Sequence, residues 1–170
     1  MAGALPDGLA LCPVSGPIDS YLQHLQIDGS PSYEVTAGQW AAMKRMGATA
    51  GWVQSYARDA QDCAARLGER LGPSAVSFAI RFKDSASASD AFATGFLGLR
   101  PAADMQVPGL AYGLQTHLTA DAWTYDQTDK APAVFIAFWA NRQFDLFLLT
   151  ERLPPAAALR AAADMNGRVN

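Results

Sequence analysis

Hydrophobic and polar positions alternate most cleanly along SAVSFAIRFK, where Val76, Phe78, Ile80 and Phe82 point one way and Ser77, Ala79, Arg81 and Lys83 the other. This period of two predicts a half-buried strand over Ser74 to Lys83. The most apolar stretch, APAVFIAFWANRQFDLFLLTE from Ala131 to Glu151, divides into two runs of strand formers around Asn141, Arg142 and Gln143. That pattern predicts a β-hairpin. Asn141 tolerates positive φ and Arg142 does not, which leaves the turn type open. With Asn141 and Arg142 as a two-residue loop, Trp139 pairs with Phe144 and Phe135 with Leu148 on one face. Ile136 with Phe147 and Val134 with Leu149 then share the other. Both faces are apolar, so both need cover. Leaving four such side chains in water would forgo roughly 6 to 12 kcal/mol.

Helical periodicity fills much of the remainder. In GPIDSYLQHLQIDG, Pro17 takes a first helical position and Ile18, Tyr21, Leu22 and Leu25 share a face. Thr36 and Gln39 read as a capping box for a second helix carrying Trp40 and Met43, ended by Gly47 and Gly51. WVQSYARD reads as a strand. Asp59 is placed to cap a short helix with Cys63, Ala64, Leu67 and Leu71, stopped by Gly72 and Pro73. A helix from about Ser87 to Leu99 presents Ala88, Phe92, Phe96 and Leu99, and Arg100-Pro101 closes it. Two further strands are expected over Ala111 to Thr119 and Asp121 to Tyr125, and a last helix runs from Pro154-Pro155 to Gly167.

Two stretches repeat the order strand, polar break, Ala-rich helix: SFAIRFKDSASASDAFATGF and FDLFLLTERLPPAAALRAAADM. Each follows another strand, which implies two ββα-like halves. The expected fold is α+β, an antiparallel sheet of about six strands with both of these helices on one face. The N-terminal helices, with Tyr21, Leu22, Leu25, Trp40 and Met43 seeking burial, are expected to cover part of the second face in a monomer. A single domain over 1–170 is expected, divided into a helical segment 1–50 and a sheet-and-helix core 51–170.

Length and charge then exclude several classes. Arg142 and Asp145 fall in the middle of the apolar stretch and would cost roughly 2.5 to 3.5 kcal/mol each at a bilayer centre, so no membrane span is expected. A net charge of -3 with scattered Lys and Arg offers no basic field for nucleic acid. MAGALPDGLALC has neither the basic region nor the apolar run of a signal peptide, and Leu11 is too large for a lipobox before Cys12. The location stays open, with an extracytoplasmic one favoured if a leader has been removed. In that setting Cys12 and Cys63 are expected to form a disulfide, against the alternative of two buried thiols.

Catalytic motifs are absent: no Gly-rich phosphate loop, no Cys-x-x-Cys, no His-Glu-x-x-His and no nucleophile elbow. No catalytic residue, metal or cofactor is assigned. His24 falls on a polar helix side and His117 on a strand beside Thr116 and Thr119; both read as solvated histidines. Asp121, Asp126 and Asp129 cluster near a turn, where Asp is favoured as a turn former. Trp123 and Tyr125 share a strand face and are the first choice for stacking on a ligand, with His117, Trp139 and Phe144 as further candidates.

The order GWVQSYARD, FAIRFKDSASASDAF, apolar hairpin and Ala-rich terminal helix resembles small bacterial extracytoplasmic, lipoprotein-like α+β domains of uncharacterised function over about residues 50 to 167. The resemblance implies a non-catalytic binding or interaction domain for a small molecule or a protein. Two alternatives compete with it. One is a small-molecule carrier with an apolar pocket between the sheet and the N-terminal helices. The other is a dimeric α+β-barrel enzyme using His117, Tyr125 and Arg81.

Overall fold

The computed structural model describes residues 5, 8–64, 70–102 and 104–169. In chain order its elements are β1 (Ala10–Leu11), β2 (Gly16–Pro17), α1 (Ile18–Ile27), α2 (Ser32–Arg45), β3 (Ala48–Ala57), α3 (Ala60–Ala64) and β4 (Ser74–Phe82). There follow α4 (Ser85–Phe92), β5 (Leu110–Tyr112), a short 3-10 helix (Gly113–Thr116), β6 (Ala122–Gln127), β7 (Val134–Asn141), β8 (Phe144–Glu151) and α5 (Pro155–Gly167). The strands make one open antiparallel sheet in the order β1-β3-β4-β8-β7-β6-β5, with β2 also paired to β3.

The fold is α+β, with an 8-stranded sheet rather than one of about six. The excess comes from β1 and β2, two residues each and too short to leave a periodic trace. They are held to β3 from within the N-terminal segment. The Cys12 amide donates to the Ser55 carbonyl at 2.8 Å, and Cys12 is joined to Cys63 by a disulfide spanning 51 residues. A crosslink closing a loop of that length contributes about 4 kcal/mol in the chain-entropy picture.

Alternation along the central strands sorts their side chains into two cores. One face gathers Phe135, Ala137, Trp139, Leu146 and Leu148 beneath Ala158, Ala161, Ala162 and Met165 of α5. The other gathers Val53, Phe78, Ile80, Phe138 and Phe147 with Ile18, Trp40, Met43, Ala88, Ala91 and Phe96. α4 and α5 therefore lie on opposite faces, not on one. The hairpin's second face is filled by Phe96, whose ring lies 5.4 Å from Phe138 and 4.8 Å from Phe147, while α1 and α2 pack on β3. Gly51 makes that last approach possible: a Cβ there would sit 2.9 Å from the Ile18 side chain and 3.4 Å from Trp40.

Several boundaries move for identifiable reasons. α2 starts at Ser32, so Thr36 is buried inside it rather than capping it, and Gly51 belongs to β3. α3 begins after Asp59, whose carboxylate accepts from the Asp62 amide at 2.9 Å. Leu67 lies outside the described residues, and Leu71 is 79 % exposed rather than on a buried helix face. α4 is capped by Asp84, which accepts from the Ser87 amide, and it ends at Phe92 because the chain turns sharply at Gly95 (φ 84). The expected strand Ala111 to Thr119 stops at Tyr112, where Gly113 (φ 55) starts the 3-10 helix.

The hairpin register also shifts. Asn141 pairs with Phe144, and Trp139 faces Leu146, so the loop is Arg142 and Gln143. The two-residue slip preserves every face assignment but exchanges every partner. Arg142 itself takes the left-handed conformation, φ 53, because Asn141 is engaged elsewhere: its amide donates to Asn166 Oδ1 on α5 at 2.7 Å. The same oxygen accepts the Trp139 indole N–H at 3.0 Å, and Asn166 Nδ2 donates to the Leu118 carbonyl.

Candidate functional site

A concave surface with a largely apolar lining is built on β6. Alternation puts Trp123 and Tyr125 on the face opposite α5, and the ladder sets Tyr112 and Phe138 beside Trp123, Leu110 and Ile136 beside Tyr125. The segment between α4 and β5 arches over this row. It starts with a tight turn in which Phe96 and Leu99 exchange amide–carbonyl bonds at 3.0 and 2.8 Å around Leu97 (φ 49) and Gly98 (φ 79). A leucine in the left-handed region is a costly choice at such a turn.

Two side chains from the sheet hold the arch. The Tyr112 hydroxyl donates to the Ala102 carbonyl, and Gln127 Nε2 donates to the Pro108 carbonyl at 2.7 Å. Gly109 then brings the chain back against β6, where its carbonyl accepts from Asp126 at 2.8 Å and a Cβ would lie 2.1 Å from the Asp126 oxygen. Only glycine fits.

Beneath and beside the arch lies a cleft of about 390 Å³ lined by Leu99, Arg100, Met105, Val107, Trp123 and Tyr125 among others. A second hollow of about 370 Å³, reaching Phe92 and Tyr112, shares Arg100, Pro101 and Trp123 with it. Volumes of this size suit a small organic molecule. Leu99, Met105 and Val107 are 38, 48 and 36 % exposed, so the arch carries apolar area that the chain itself leaves in water. The charged group of the lining is Arg100, and the Tyr125 hydroxyl and Trp123 indole add donors.

The other residues expected at a ligand site are not gathered there. Trp139 is fully buried on the α5 face, and Phe144 lies at the hairpin tip on that same face. His117 is exposed after the 3-10 helix in a left-handed conformation, φ 60, not on a strand. Arg81 points from β4 toward the α5 face while Tyr125 occupies the other, so Arg81, His117 and Tyr125 form no common site. Asp126 closes its own turn, accepting from the Thr128 amide and hydroxyl at 3.0 and 2.6 Å, and Asp129 pairs with Lys130. Asp121 stands at the opposite end of β6.

Asp121 has a different neighbour. Its carbonyl accepts from Ala140 at 2.8 Å, and Ala140 in turn pairs with Asp145, so the two carboxyls flank one methyl group on the α4 face. Asp145 is 1 % exposed, with no hydrogen-bond partner for either carboxyl oxygen. Burial, reinforced by the nearby Asp121 charge, pushes its pKa up to about 8. It is accordingly held as the neutral acid at neutral pH. Asp121 accepts from the Ser89 hydroxyl of α4 at 2.7 Å.

A smaller hollow of about 180 Å³ lies in the seam between α1 and the sheet, lined by Tyr21, Leu25, Ser55, Arg70 and Val76. Arg70 is buried and donates to Ser55 Oγ at 3.0 Å. Burial also raises the Tyr21 pKa. The hollow holds about six waters by volume, half the capacity of the cleft on β6.

What sequence reading missed is the arch. Leu99 is expected on the apolar face of a helix that instead ends at Phe92, while Arg100, Met105 and Val107 follow no helical or strand period, and the remaining signal is Gly98 and Gly109 bracketing an irregular apolar loop. Among the described residues no group of three or more His, Cys, Asp or Glu is placed to hold a metal ion, and no helix is long and apolar enough to cross a membrane. No family model, curated protein or solved structure matches the chain.

Proposed function

We propose that this protein is a non-catalytic binding domain that takes a small apolar molecule bearing an acidic group, seated on Trp123 and Tyr125 with its charge toward Arg100. The observation that carries this reading is the arch of Leu99, Met105 and Val107, which holds apolar side chains over an aromatic floor beside one guanidinium. Aromatic stacking and burial supply affinity, and Arg100 selects for the anion. The disulfide Cys12–Cys63 supports an oxidising, extracytoplasmic setting. In this reading α1 and α2 act as a cover for the β3 side of the sheet. Removing residues 1 to 48 would then lower stability and solubility together.

The test uses anilinonaphthalene sulfonate, an apolar anionic fluorophore. Met105→Asp and Arg100→Ala alter exposed positions and leave the core intact. Each is expected to weaken probe binding about tenfold with an unchanged melting temperature, the worth of roughly 1.4 kcal/mol of contact. Unchanged binding in both variants would overturn the assignment.

A further inference from the structure

A second concave site lies on the α5 face of the sheet, where the β7–β8 hairpin turns. A cleft of about 470 Å³ is lined by Ser85, Arg142, Gln143, Phe144, Arg168 and Val169. Among the described residues its polar lining consists of a hydroxyl, an amide and two guanidinium groups, with no carboxylate. The two neighbouring acids are engaged: Asp84 accepts from the Ser87 amide, and Asp164 accepts from Arg168 at 3.0 Å. Directly across the ladder from Phe144, on the same face, stands the exposed Arg81. Three of the chain's ten arginines thus surround one half-buried phenylalanine, in a protein whose net charge is -3.

Arg142 is the informative member. It occupies the first position of a two-residue hairpin loop at φ 53, where glycine is favoured and where an arginine stores strain. Nothing in the folding of the hairpin requires a guanidinium there. Its main-chain neighbour meets the local need, since the Gln143 carbonyl accepts from the Phe82 amide at 2.7 Å. The side chain projects into solvent at the cleft's rim, and among the described residues no ion pair or hydrogen bond engages it.

We propose that this cleft binds the oxyanion group of a small organic acid, a phosphate monoester or a carboxylate, with its organic part against Phe144 and Val169. The planar fork of Arg142 matches the paired oxygens of such a group, and Arg168, whose Nε and Nη2 are held by Asp164, adds a guanidinium at the rim. Ser85 and Gln143 supply neutral donors to the remaining lone pairs. The volume exceeds what a bare inorganic anion needs, so the ligand carries an apolar portion. This site is independent of the one on β6.

The experiment is a titration of the intact protein with phenyl phosphate, benzoate and neutral phenol, followed by amide chemical shifts. Saturable shifts at Ser85, Gln143, Phe144 and Val169 are expected with one or both anions and not with phenol. Phenyl phosphate alone would assign a phosphate ester, benzoate alone a carboxylate. Arg142→Gly is the decisive variant, because it removes the guanidinium and relieves the positive φ, so it folds at least as well as the parent. It is expected to weaken anion binding about tenfold, the equivalent of one hydrogen bond to a charged group. Absence of saturable shifts with either anion, equal shifts with phenol, or undiminished binding in Arg142→Gly would overturn the proposal.

Discussion

The two faces of this sheet are closed in different ways. Over one, α5 packs Ala157, Ala158, Ala161 and Ala162 against the strands, and small side chains let the helix come close. Asn166 then ties the helix to Trp139, Asn141 and the Leu118 carbonyl. Over the other, α4 has eight residues of which only Ser87, Ala88 and Ala91 are buried, and the volume it leaves is filled by the rings of Phe92 and Phe96. Beyond those rings the cover becomes an irregular arch, and the candidate ligand cleft begins. A face sealed by alanines and a polar hub leaves room for a guest only past the end of the helix, at the hairpin tip, whereas a face filled by rings at and beyond the end of a short helix leaves grooves along the strands.

If that contrast is right, the α5 face should be the more sensitive to a single deletion of volume. Trp139 is fully buried there, packed in the α5 core with its indole N–H on Asn166. Trp139→Ala leaves a cavity and removes one of the two hydrogen bonds accepted by Asn166 Oδ1, and it is expected to cost about 3–5 kcal/mol by denaturant unfolding. Trp123→Ala, on the groove side, should cost distinctly less, because its surroundings already open to solvent. Equal losses would break the comparison.

The second prediction concerns the neutral acid beneath α4. Asp145 has a folded pKa raised to about 8 from an ordinary value of 3.8. The folded state therefore binds a proton that the unfolded chain releases between these two values. Its contribution to stability is fully present below about pH 4 and is lost as the pH rises to about 8, a swing on the order of a few kcal/mol. Asp145→Asn keeps the shape without the titration. Unfolding midpoints at about pH 5 and pH 8 should differ markedly in the parent and little in the variant. A parent with no such slope would show that Asp145 is stabilised by contacts other than a proton.

Legibility in the sequence divides along the same line. β4, β7 and β8 could be read because alternation of large and small residues is a property of one strand, and the side of the sheet each residue takes survives even a two-residue slip in register. α5 was equally plain from its prolines and alanines. The slip itself was not foreseeable, since it follows from Asn141 serving Asn166, 25 residues away. Nor could the Asp121–Asp145 pairing be read, because it exists only once β6, β7 and β8 lie side by side. Of the site, Trp123 and Tyr125 were visible through their period of two. The arch over them was not, because glycine turns and two hydrogen bonds shape it, not hydrophobic periodicity.

The smallest expected effect separates the two helices most directly. The Ser89 hydroxyl donates to Asp121 Oδ2 at 2.7 Å in an exposed position, one of few polar contacts between α4 and the strands. Ser89→Ala removes one solvent-accessible hydrogen bond, so global stability should fall by no more than about 1 kcal/mol. Local opening is another matter. α4 is short and lightly buried, which places it at the low end of the range of local stabilities within one fold. Its amide exchange should therefore quicken roughly five- to tenfold, as one such bond implies, while the amides of α5 keep their protection. Exchange that rises equally in both helices would mean that they open together, and that the two faces of the sheet are one cooperative unit despite their different construction.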